Sequence, residues 1–194
     1  MIKLISSKVA CILCKEDDDE TLELFEYGIY IVLSAILHTA TVILLGLLLN
    51  MLVESIIFYC SFIAIRKFAG GYHAKTATRC YLFSLLISII ILFLIKLFCF
   101  SNIYLLMLLA AIGILCVILI THIAPLDTDN NPLNVKEKIL YGKISSVISI
   151  ILLCISITAI ILNCINIGVS IIFGIFMSTI VLLARYAHDL YNKH

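Results

Sequence analysis

One stretch gathers most of the reactive side chains in this sequence: RKFAGGYHAKTATRC, from Arg66 to Cys80. A thiol reacts as its thiolate, and the cations Lys75 and Arg79 near Cys80 favour that form, while a neutral His73 is a base able to take the proton. Gly70 and Gly71 let the backbone come close to a ligand and aim amide groups at a developing oxyanion. Geometry sets a condition. On one straight helix, residues seven apart such as His73 and Cys80 would be separated by about 10.5 Å along the axis, too far to hydrogen-bond. A His–Cys dyad therefore requires the chain to bend or unwind between them, and Gly70, Gly71, Thr76 and Thr78 are weak helix formers that permit it. Without such a bend the same residues make an interfacial turn anchored by snorkelling cations.

The elements that hold this stretch are read from composition. With 63% hydrophobic and 13% charged residues in 194, and a mean hydropathy of +1.21, the chain carries more apolar surface than one water-soluble core could hide. Lipid is the expected solvent. A net charge of +1 gives no basic excess to suggest nucleic acid as a partner. Apolar runs at Gly28 to Leu49, Met51 to Ile65, Tyr81 to Phe98, Ile103 to Ile123, Ile144 to Leu162 and Ile165 to Ala184 predict an all-α integral membrane protein of about six transmembrane helices. The second run is short: fifteen residues reach only about 22 Å, so flanking residues, local thinning or a re-entrant shape must help it. Such mismatch favours association, which makes a homodimer a candidate assembly.

The chain is expected to form a single polytopic domain over residues 1–194, opened by an amphipathic segment at 1–27. Ile2, Ile5, Val9 and Ile12 recur at helical spacing there, so this segment is expected to lie in the membrane interface. Lys15 to Glu20 reads as a solvated acidic turn. Six spans with both termini in the cytoplasm place twelve of the thirteen Lys and Arg residues on that side and only Lys96 outside, as the positive-inside pattern requires. The two sizeable loops, 66–80 and 124–143, are then both cytoplasmic. The 66–80 loop is the expected catalytic one, and Arg66, Lys67, Lys75 and Arg79 give it a basic rim suited to an acidic peptide.

Other reactive types read more simply. Cys60, Cys99, Cys116, Cys154 and Cys164 fall in or beside apolar runs, where cysteine acts as a small hydrophobe. Cys11 and Cys14 form half of a zinc-type ligand set without its second half, so no metal and no cofactor is expected. Glu54, the acid placed within a span, is expected to snorkel to the outer surface. Asp127 and Asp129 in the second loop are either a solvated turn or a third group orienting His73, with Asp127 the better placed. His38 and His122 read as packing and interfacial residues.

The stretch from Arg66 to Ser84, RKFAGGYHAKTATRCYLFS, closely resembles the signature of the accessory gene regulator B (AgrB) membrane peptidases. The second loop is similar to that family's other recognisable stretch, with Ala124 to Pro132 followed by Lys136, Glu137 and Lys138. The resemblance implies a bacterial cell-membrane cysteine endopeptidase that cuts a small AgrD-like precursor peptide and helps cyclise its N-terminal part to a thiolactone or lactone quorum-sensing signal. In that resemblance His73 matches the catalytic histidine and Cys80 the nucleophile, while Arg66, Gly70 and Gly71 match frequent motif positions. A thiol suits this chemistry: an acyl-enzyme thioester passed to a substrate cysteine exchanges one thioester for another at nearly constant energy. The competing expectations are a peptide exporter without proteolysis and a structural membrane subunit. No span shows the paired Gly/Pro interruptions of transporter sites, and the His-Glu-x-x-His and Gly-x-Ser-x-Gly motifs of other hydrolases are missing.

Overall fold

The computed structural model describes residues 19–70, 77–99, 102–126 and 133–191. The amphipathic helix expected at the N-terminus, and with it Cys11 and Cys14, lies outside the described residues. Every described element is a helix: α1 (Asp19–Leu48), α2 (Leu52–Ala69), α3 (Ala77–Cys99), α4 (Ile103–Ile123), α5 (Val135–Ile161) and α6 (Ile165–Tyr191). This is the all-α membrane protein expected, since a chain in hydrocarbon must satisfy its own backbone polar groups. Among the described residues, four helices are long and apolar enough to cross a membrane: Gly28–Leu48 within α1, then α4, α5 and α6. The other two fall short of that measure. Within α3 the described apolar stretch is Ser84–Phe98, and the 18 residues of α2 include Glu54, Arg66 and Lys67.

Most helices outrun their apolar cores. α2 continues a turn past Ile65 to Ala69, so its 18 residues span about 27 Å rather than 22 Å. α5 starts at Val135, nine residues before Ile144, because Glu137 turns back to accept a hydrogen bond from the Asn134 amide at 2.8 Å. α6 runs beyond Ala184 to Tyr191, and there Arg185 pairs with Asp189 at 3.0 Å one turn on. α1 begins at Asp19, so residues 19–27 are continuous with the first span and Asp19 and Glu20 belong to the helix rather than to a turn.

α6 is the axis of the bundle: 72% of its span is buried, against 12% for that of α1, and α2, α3, α4 and α5 all pack on it. Small residues let α2 come close. A side chain at Gly174 would stand 2.9 Å from the Phe58 carbonyl oxygen and 2.6 Å from Ser61 Cβ. On the same seam Ser178 Oγ donates to the carbonyls of Gly174 (2.9 Å) and Phe62 (3.3 Å). Such small-residue contacts take the place of the hydrophobic drive that lipid removes. Of the serines buried along α5, Ser145 and Ser149 donate back along the chain to Gly142 and Ser146, while Ser156 donates across to the Gly168 carbonyl of α6 at 2.8 Å. By contrast α1 turns Val32, Ile36, Leu44 and Leu48 outward, an apolar face suited to lipid.

Candidate functional site

The site is assembled at the end of the bundle where α2 and α4 both stop. α2 carries Arg66 and Lys67 in its last turn, where cations meet the negative end of the helix dipole. The Arg66 guanidinium lies 5.4 Å from the centre of the Phe62 ring one turn back, and the Lys67 ammonium lies 5.5 Å from that of Phe68. Phe68 in turn meets Tyr141 of α5 edge-on at 5.9 Å. These two cations of the basic rim therefore stand on a helix end that is packed on its neighbour.

Gly70 closes α2 with φ +77° and ψ −160°, a region that essentially only glycine occupies. Its amide donates to the Arg66 carbonyl at 3.1 Å. A Cβ at Gly70 would also meet the Leu126 carbonyl oxygen at 2.5 Å. Leu126 is held there by its own amide, which donates to the Ala69 carbonyl at 3.2 Å. The structure thus joins the start of the first loop to the start of the second, directly before Asp127. Two conditions on Gly70, backbone conformation and close approach, come from one junction.

α2 ends at Ala69, and the described part of α3 runs from Ala77. Arg79 and Cys80 fall in the first described turn of α3. Gly71, His73, Lys75, Asp127 and Asp129 lie outside the described residues, as do the side chains of Arg79 and Cys80. The residue after Cys80 is tied down: the hydroxyls of Tyr81 and Thr41 of α1 are 2.7 Å apart and hydrogen-bonded. The His38 ring packs between two tyrosines, 5.3 Å from the Tyr59 ring and 6.4 Å from that of Tyr81. His38 is therefore the packing residue expected.

At the far end of α2, Glu54 is not a lone snorkelling acid. Its carboxylate accepts a hydrogen bond of 2.8 Å from the Asn166 side chain of α6. That pair shows which end is which. The starts of α2 and α6 meet at Glu54 and Asn166, and the ends of α2 and α4 meet at Ala69 and Leu126. Arg66, Lys67, Lys136, Lys138 and Lys143 accordingly gather toward the Gly70 end, while Lys96 lies in the last turn of α3.

Residues that could have been found in the sequence but were missed include the Asn134…Glu137 cap, which is a recognisable spacing. Leu126 and Tyr81 carry no such signal, because their parts are a backbone contact and a hydroxyl pairing across distant segments.

Comparison with known proteins bears directly on this arrangement. The profile of the family described as accessory gene regulator B matches residues 5–182, both loops included. The chain belongs to the AgrB family. An AgrB-like protein of Clostridium perfringens strain SM101 is 33% identical over 187 residues, covering 94% of this chain and 86% of the relative. A second AgrB-like protein, from strain 13 of the same species, is 34% identical over 140 residues, which cover 70% of this chain and 64% of that relative. No solved structure matches the chain. AgrB membership and the apolar helices together make this a membrane protein, with Gly70 and Leu126 at the junction of the two stretches that carry the family resemblance.

Proposed function

We propose that this AgrB protein is a membrane cysteine endopeptidase that cuts a small AgrD-like precursor peptide and promotes cyclisation of the N-terminal product. Cys80 attacks the scissile carbonyl, His73 takes the thiol proton and returns it to the leaving amine, and the C-terminal part of the precursor departs. The acyl-enzyme thioester that remains is opened by an internal thiol or hydroxyl of the substrate, which closes the ring and regenerates Cys80. With a substrate thiol the exchange is thioester for thioester, so this second step is nearly neutral in energy. A site at the membrane face limits water, whose attack would give a linear peptide.

The observation that carries this reading is the Ala69–Leu126 junction at Gly70, which supports a shared site for the first loop, with His73, and the second, with Asp127. Asp127 is assigned to orienting His73 and the amide at Gly71 to the oxyanion, because the Gly70 amide is already given to the Arg66 carbonyl and Gly70 supports the site through its close approach to Leu126. The cations gathered at that end of the bundle favour a cytoplasmic site with both termini inside. They also favour an acidic precursor segment as the partner of Arg66, Lys67, Lys75 and Arg79.

Co-expression of the neighbouring precursor with wild type, Cys80→Ala and His73→Ala tests the reading by mass spectrometry of the products. Cleavage lost in both variants supports the dyad, and cleavage that survives Cys80→Ala overturns it. Export of the uncleaved linear precursor would return the exporter reading. Reversing Lys67 and Lys75 to Glu is expected to lower processing by about tenfold, the effect of about 1.4 kcal/mol in substrate binding. Partial recovery when acidic precursor positions are made basic is the checking measurement; without recovery those lysines are membrane anchors only.

A further inference from the structure

A groove that plays no part in the proposed chemistry opens between the end of α4 and the first turns of α5. Thr121 and Ala124 form one side, and Lys138, Ile139, Gly142, Lys143, Ser146 and Val147 form the other, around about 500 Å³ of open space. The α5 residues fall on two adjacent ridges of that helix. One reads Lys138, Gly142, Ser146, and the other Ile139, Lys143, Val147. With no side chain at Gly142, Ala124 and Pro125 approach α5 closely: a Cβ there would lie 3.2 Å from Pro125 Cδ and 3.3 Å from the Ala124 carbonyl oxygen.

The lining is divided by chemistry. Lys138 and Lys143 are exposed cations at the polar end of a helix whose apolar stretch begins at Ile144. Glu137, in the same turn, accepts from the Asn134 amide and caps the helix. The two hydroxyls have already spent their protons, Thr121 on the Ile118 carbonyl and Ser146 on the Gly142 carbonyl, both at 2.7 Å, so each has lone pairs left to accept. Past them Val147, Ile150 and Ile151 stand about half exposed and continue the groove as an apolar track.

We infer that this groove binds an anionic phospholipid with a hydroxylated headgroup, of which phosphatidylglycerol is the type. Lysine donors take the phosphate, the hydroxyl oxygens of Thr121 and Ser146 accept from the glycerol hydroxyls, and an acyl chain follows Val147 and Ile151 toward the membrane centre. The order of the lining, cation then hydroxyl acceptor then apolar track, is what selects a lipid. A soluble phosphate or an acidic peptide would use the lysines and leave the track bare. Basic pockets between helices at a membrane face are suited to this type of ligand.

The test uses the full chain in detergent and native mass spectrometry, with phosphatidylglycerol, phosphatidic acid and phosphatidylcholine offered in equal amounts. Wild type is expected to retain phosphatidylglycerol over both others. Lys138→Gln and Lys143→Gln are each expected to weaken that retention about fivefold, whereas Lys136→Gln, exposed on the opposite side of the same turn and outside the groove, leaves it unchanged. Equal retention of phosphatidylglycerol and phosphatidylcholine, or an equal loss in Lys136→Gln, would overturn the inference by showing general surface charge only. An octaglutamate peptide that displaces phosphatidylglycerol through the same two lysines would overturn it in favour of a peptide site. None of these readouts depends on cleavage, so the endopeptidase reading stands or falls separately.

Discussion

The seam between α2 and α6 and the contact between α1 and α3 are built on opposite plans. Along the seam, backbone meets small side chain: Gly174 lies under the Phe58 carbonyl, and Ser178 reaches across to that of Phe62. Between α1 and α3 the hydroxyls of Thr41 and Tyr81 pair beside the edge-on ring of His38, and Val42 joins the apolar cluster of Ile91, Leu92 and Ile95. The first plan fixes spacing and tolerates almost no added volume, while the second fixes an orientation through groups that can be removed one at a time. The proposed dyad straddles the two. His73 follows the helix end that belongs to the seam, and Cys80 lies in the first described turn of the helix held by the hydroxyl pair.

The largest effect is expected on the seam itself. Gly174→Leu drives a side chain into Phe58 and Ser61 and should cost about 3 kcal/mol, read as loss of the folded, detergent-soluble protein. A stable Gly174→Leu protein would mean that α2 and α6 do not meet this closely. Next comes the junction. Gly70→Ala combines an unfavourable backbone region, costing about 1–3 kcal/mol, with collision against the Leu126 carbonyl. Its effect should be local, with precursor cleavage abolished or nearly so at a melting temperature within a few degrees of wild type. Unimpaired cleavage would separate Gly70 from the site. The smallest effect belongs to the hydroxyl pair: Tyr81→Phe removes about 0.6–1 kcal/mol of hydrogen bonding within the membrane, so a three- to fivefold slower cleavage is expected. Slowing in kcat with KM unchanged would mark Tyr81 as a residue that positions α3, and an effect on KM alone would assign it to the substrate.

Much of the fold was legible because lipid writes its demand into the sequence as long apolar runs. All six runs are helices. Their ends were less legible, since hydropathy reports contact with hydrocarbon and a helix continues past it for as long as its own hydrogen bonds and caps hold. Thus α2 runs on through Arg66 and Lys67, and α5 begins among Lys136 and Lys138. The same limit explains the span count, because a helix with Glu54 near one end and Arg66 near the other has the length of a short span and not its composition. Of the candidate site, Gly70 was legible as a residue suited to close approach, but not its partner. Leu126 meets it through main-chain atoms, and nothing in a leucine's identity announces a backbone contact. Glu54 was legible as an oddity; Asn166, which accounts for it, looks like any polar residue at a helix start.

The central claim is that Cys80 carries the N-terminal part of the precursor as a thioester. Intact mass of the purified protein, quenched in acid soon after mixing with precursor in vesicles, tests it most directly. An added mass equal to that fragment, removed by hydroxylamine and lost in Cys80→Ala, is the predicted result. Precursor cleavage that proceeds at the wild-type rate in Cys80→Ala would contradict it.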